Sequence, residues 1–139
     1  MRLEDYTALD GLALAAAVRS RSVTAEQLAA CAAEASARVN PALNAVLEIY
    51  ADRLDPAAPS TDAPFPGVPF LVKDLGAAEA GRRQEAGSQM LKGHVAEADC
   101  ELVRRFRAAG FTLLGRSATP EFGWSASTES QLTGITRNP

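Results

Sequence analysis

The sequence predicts an α/β fold in which N-terminal helices precede the first strands and helices of a mixed or parallel sheet. Three observations point there. Residues 10 to 39 are alanine-rich and carry apolar residues at helical spacing. Val68-Pro69-Phe70-Leu71-Val72 is a continuous apolar run, the pattern of a strand buried on both faces. Between residues 68 and 115 the order strand, helix, strand implies a right-handed crossover.

The elements follow in order. A first helix is expected over about Asp10 to Arg19, and a second begins at Thr24, where Gln27 completes a capping box. Leu28, Cys31, Ala32, Ala35 and Val39 form its apolar face, and Asn40-Pro41 is expected to stop it. Asn44 to Tyr50 alternates as a strand does. Residues 54 to 66 carry four prolines and read as an exposed connection. After the strand ending at Val72, residues 76 to 93 are glycine-containing. Asp99 is expected to cap a helix presenting Leu102, Val103 and Phe106 and closed by Gly110. Phe111 to Gly115 reads as a short strand, and Thr119-Pro120-Glu121 as a helix start. Residues 125 to 134 are polar and loop-like.

One residue breaks the apolar run. Lys73 follows Val72 directly, and burying a lysine costs free energy unless it is paired or gives up its proton. A neutral amine at the end of a core strand serves as a general base near neutral pH. The plainer reading is that Lys73 snorkels, with its stem covered and its ammonium in water. Asp74 should not meet Lys73, because neighbours on a strand face opposite ways.

Composition narrows the function classes. Among 139 residues, 14 are basic and 17 acidic, a net charge of −3, and no basic stripe supports nucleic-acid binding. No apolar run approaches the roughly 18 residues of a membrane span. The acidic opening Met1-Arg2-Leu3-Glu4-Asp5 lacks the apolar core of a signal peptide. Cys31 and Cys100, both placed in predicted helices, suit a reducing cytoplasm. A single histidine, His94, supplies neither metal-ligand spacing nor a histidine triad, and reads as a solvated loop residue. Neither a metal nor a cofactor is expected. Phe122 and Trp124 are expected to pack, and Arg82 and Arg83 to be solvated.

Several segments together resemble the amidase signature family: Gly67-Val68-Pro69-Phe70-Leu71-Val72-Lys73-Asp74, Ala86-Gly87-Ser88, the helix and strand from Asp99 to Gly115, Thr119-Pro120-Glu121-Phe122-Gly123, and Gly134-Ile135-Thr136-Arg137-Asn138-Pro139. The resemblance covers nearly the whole chain and is most specific over residues 67 to 139. It implies the N-terminal portion of a single amidase domain, helical over residues 1–43, with the start of an incomplete α/β core over residues 44–139. It also implies a C–N hydrolase with a Ser–cis-Ser–Lys triad, and makes Lys73 the triad lysine. That amine takes a proton, through a bridging serine, from a nucleophilic serine.

In the family a Gly-Gly-Ser-Ser-Gly-Gly stretch follows the asparagine-proline pair and carries the bridging serine, with the nucleophile further on. By that resemblance the chain is a truncated segment without either triad serine, inactive alone. Ser88, Ser117, Ser125, Ser127 and Ser130 lie in no nucleophile elbow. The implied partner is a small amide substrate, with self-association possible and no nucleic acid or membrane. Two alternatives stand beside an amidase. One is the A-type subunit of a glutamine-dependent amidotransferase, whose usual Lys-Asp-Asn and Met-Asp-Glu-Phe-Ala segments are VKDLG and TPEFG here. The other is a non-catalytic remnant.

Overall fold

A computed structural model describes all residues from Met1 to Pro139. Three helices come first: α1 (Leu3–Thr7), α2 (Gly11–Arg19) and α3 (Ala25–Leu43). Then come β1 (Val46–Ile49), β2 (Pro69–Lys73), α4 (Glu101–Ala108) and β3 (Thr112–Ser117), and last a short hairpin of β4 (Glu129–Ser130) and β5 (Gly134–Ile135). The α/β expectation holds. The main sheet has the order β1-β3-β2, with β2 parallel and β1 antiparallel to β3. It is a mixed sheet whose parallel pair is joined through α4.

Local chemistry explains most boundaries. The Asp10 carboxylate caps α2 by accepting from the Ala13 N–H at 2.8 Å. Thr24 and Gln27 form the expected capping box at the start of α3. Asn40-Pro41 does not end α3, which continues to Leu43. A proline loses its own N–H bond and crowds the carbonyl four residues back, and at Pro41 the helix has only two residues left to run. The stop comes at Asn44, left-handed at φ 51°, while the Asn40 carboxamide accepts from the Ala45 and Val46 N–H groups, both at 2.8 Å. The chain's last turn ties back here: the Asn44 amide donates to the Thr133 carbonyl at 2.8 Å, and the Arg137 N–H to the Leu43 carbonyl at 2.8 Å.

Two other expected caps fail. Cys100, not Asp99, precedes α4 and makes no side-chain cap bond. Asp99 instead accepts from the Ala80 N–H and pairs with Arg107, and a charge-assisted bond is about twice as strong as a neutral one. Glu121–Gly123 forms only a single 3-10 turn, and Thr119 is buried with its hydroxyl unpartnered rather than capping.

β3 is the centre of the sheet, with Thr112 to Arg116 all buried. At Gly115 a Cβ would lie 2.1 Å from the Glu48 carbonyl oxygen, so β1 can approach only a glycine there. Two apolar clusters flank the strand. Leu14, Val18, Val23 and Leu28 pack with Val68, and Val72, Ala77 and Val103 pack with Leu113. Phe111 touches both clusters, stacking on Phe65 with centroids 4.6 Å apart and tilting against Phe70 at 4.9 Å.

Candidate active site

β2 and β3 run parallel, so their carboxyl ends emerge at one edge, where open α/β sheets place their ligand sites. Lys73 is the last residue of β2, in register with Ser117, and the Asp74 N–H donates to the Ser117 carbonyl at 3.0 Å. Lys73 itself is exposed. The expectation of a sequestered amine is therefore corrected. Val72 and Asp74 turn inward, the intervening lysine turns the opposite way, and no carboxylate pairs with it. Lys73 lines none of the open clefts of about 330–900 Å³ on the surface.

The buried chemistry belongs to its neighbour. Asp74 is 1% exposed and Arg116, which is in register with Val72, 4%. The Arg116 guanidinium reaches Asp74 at 2.9 Å, Glu85 at 2.8 Å and the half-exposed Glu48 at 3.3 Å. Asp74 also gathers the following loop. Oδ1 accepts from the Glu85 N–H at 2.8 Å, Oδ2 from the Gly87 N–H at 3.1 Å, and its carbonyl from the Ala86 N–H at 3.0 Å. Glu85 Oε1 accepts from the Gly93 N–H at 2.7 Å.

That loop is held against the segment after β3. Ala86 (φ 50°) accepts from the N–H of Phe122 (φ 49°) at 2.9 Å, two non-glycine residues in the left-handed region. Gly87 (φ 63°) leaves no room for a Cβ, which would sit 2.5 Å from the Thr119 carbonyl oxygen. Ser88 is fully buried and donates to Glu121 Oε1 at 2.6 Å, so Glu121 anchors a loop. Ser130 donates to the Gly87 carbonyl and accepts from the Leu132 N–H at 3.0 Å. Trp124 does not pack: it is 89% exposed on a cleft of about 430 Å³ shared with Phe122, Ser125, Ser127 and Glu129.

A second polar knot lies where β1 ends. Buried Glu79 pairs with Arg53 at 2.8 Å and Arg107 at 2.7 Å. Arg82 pairs with Asp52 and lies 4.1 Å over the Tyr50 ring, so of the two neighbouring arginines only Arg83 is solvated. Burial, with the nearby Glu79 charge, pushes the Tyr50 phenol up to about 12. His94 is exposed. No group of three or more His, Cys, Asp or Glu side chains is gathered as for a metal ion, and no helix is long and apolar enough to cross a membrane.

Sequence reasoning singled out Lys73 but passed over the buried cluster of Arg116, Glu85 and the inward-turned Asp74. The signal for Arg116 was partial: a guanidinium directly after Thr112-Leu113-Leu114-Gly115 needs an acid if it is buried, but the sequence names neither its burial nor its partners.

The family model described as Amidase matches residues 26–139. A lipoamidase from Enterococcus faecalis is 36% identical over 97% of the chain, and the chain covers 19% of it. One component of the glutamyl-tRNA(Gln) amidotransferase from Acidothermus cellulolyticus is 33% identical over 99% of the chain, which covers 29% of it. The solved structure of a 6-aminohexanoate cyclic dimer hydrolase complexed with substrate superposes with a TM-score of 0.84 at 36% identity, over 94% of this chain and 27% of that one. The chain thus spans between 19% and 29% of the length of these relatives.

Proposed function

The chain belongs to the amidase family, and from that premise we propose that it carries the lysine-bearing part of an amide-hydrolysing site, with Lys73 as the base. The observation that supports this most is placement. Lys73 ends a parallel strand at the sheet's carboxyl edge, inside the Gly67–Asp74 segment and the matched region. The next residue, Asp74, accepts from the Ala86 N–H, and Ala86 and the Phe122 bonded to it are both non-glycine residues in the left-handed region, where strain often marks functional sites.

The chemistry is acyl transfer. An unprotonated Lys73 amine takes the proton of a serine hydroxyl by way of a bridging serine, and the serine oxygen attacks the amide carbonyl. The C–N bond then breaks, the leaving amine takes up the proton, and water releases the acid from the acyl-serine. For the amine to be shielded from water, further structure must cover it, because Lys73 is exposed in these 139 residues. These 139 residues carry Lys73 but not the Gly-Gly-Ser-Ser-Gly-Gly stretch that the family resemblance calls for. Cys31 and Cys100 are both free, which supports a reducing, cytoplasmic location.

The test joins residues 1–139 to the remaining part of the 6-aminohexanoate-cyclic-dimer hydrolase and assays cyclic and linear amides. Turnover by the fusion is expected, and Lys73→Ala should lower kcat by about 10²–10⁴-fold, the usual contribution of a general base. Activity within a few-fold of the parent sinks the assignment. A second reading, an amidotransferase component releasing ammonia from glutamine, draws on the 33% identity to the Acidothermus protein. Glutaminase activity that appears only with a partner protein selects it.

A further inference from the structure

We propose that Arg116, clamped by Asp74 and Glu85, is a positioning residue for Lys73: it fixes the strand end from which the amine projects. The inference rests on Lys73 being the base.

The geometry is over-determined. Asp74 follows Lys73 directly, and both of its carboxylate oxygens are occupied by Arg116 and by the Glu85 and Gly87 N–H groups. Its N–H and carbonyl are also taken, by Ser117 and Ala86. Every polar group of the residue after the lysine is therefore tied to β3 or to the returning loop. Arg116 in turn holds Glu85 at 2.8 Å, and Glu85 holds the Gly93 N–H, which closes the loop of residues 74–93. The guanidinium fork spans both carboxylates at once, which a lysine ammonium at the same place does not reproduce.

Stability alone does not account for such a cluster. Buried ion pairs are often replaceable by apolar residues at no loss, so three charges kept at the end of a central strand point to a fixed arrangement. A base needs that arrangement. Catalytic groups are held within about 0.5 Å of productive geometry, and a displacement of about 1 Å costs on the order of 10²-fold in rate. Lys73 and Asp74 share a peptide bond, so freedom at Asp74 becomes displacement of the amine.

The experiment uses Arg116→Met, Arg116→Lys and Glu85→Gln, each in the amide-hydrolysing fusion and in the 139-residue chain. In the fusion, Glu85→Gln and both Arg116 variants should lower kcat at least tenfold with KM within twofold, and lysine at 116 should not restore it. In the 139-residue chain, amide hydrogen exchange at Asp74, Ala86 and Gly87 should speed up at least tenfold while α3 amides keep their rates. Unchanged kcat in all three variants overturns the proposal, and so does exchange that rises equally in α3 and the loop, the mark of a purely global role. If Arg116→Met fails to fold, Glu85→Gln decides, and if the fusion is inactive, the exchange pattern decides. A fully active Lys73→Ala fusion removes the base assignment instead, a result separable from failure of the clamp.

Discussion

Burial penalises an ionised Glu85, yet the Gly93 N–H and the Arg116 guanidinium outweigh that penalty and hold its carboxyl below the usual range. A carboxyl with a depressed folded pKa adds stability above its unfolded value, about 4.3 for glutamate, and loses it as pH falls through the folded value. Melting temperature is thus expected to hold down to about pH 4.3 and to fall below it. Glu85→Gln should flatten that acid limb while lowering the neutral plateau, as followed by circular dichroism melts across the range. At Gly87 the constraint is steric: Gly87→Ala forces a Cβ against the Thr119 carbonyl at a positive φ, and urea unfolding should show a loss of roughly 1–3 kcal/mol. Sequence placed Lys73 at a strand end but left its amine between a sequestered and a solvated reading, and the structure takes the solvated one. A run of apolar letters does not say whether the strand it forms is covered on both sides, and β2 is only partly covered. Arg116 stayed invisible for a related reason, since its three acids come from β1, the residue after β2, and the following loop.

Elements were legible where their signals are local. The capping box of α3 needs only residues 24 to 27, and Thr24→Ala should cost about 1 kcal/mol of stability, measurable by denaturant titration. The parallel pair of β2 and β3 followed from an apolar run, a helix with Val103 inward and a second apolar run. The failures lie where a distant group outbids a neighbour. Asp99 abandons the cap for Ala80 and Arg107, and Thr119 is packed beneath the 86–88 loop. At Pro41 the helix survives because Asn40 and the chain's last turn supply the bonds that close it, and neither can be seen from the proline itself.

For the whole molecule, the chain presents more apolar surface than its own elements cover. Leu12, Val39, Met90, Trp124 and Ile135 are all at least half exposed, and β2 has one unpaired edge. Open edges and bare apolar faces favour association, so the isolated 139-residue polypeptide is expected to self-associate with rising concentration in sedimentation velocity. A monodisperse monomer with a sharp, reversible melt counts against this. The tie between Asn44 and residues 133 to 137 has its own consequence during synthesis. A ribosome must deliver some ninety further residues before Leu43 and Asn44 receive these distant partners, and contacts so far apart in sequence form slowly. Until then it is the Asn40 carboxamide that closes that end, through the Ala45 and Val46 N–H groups.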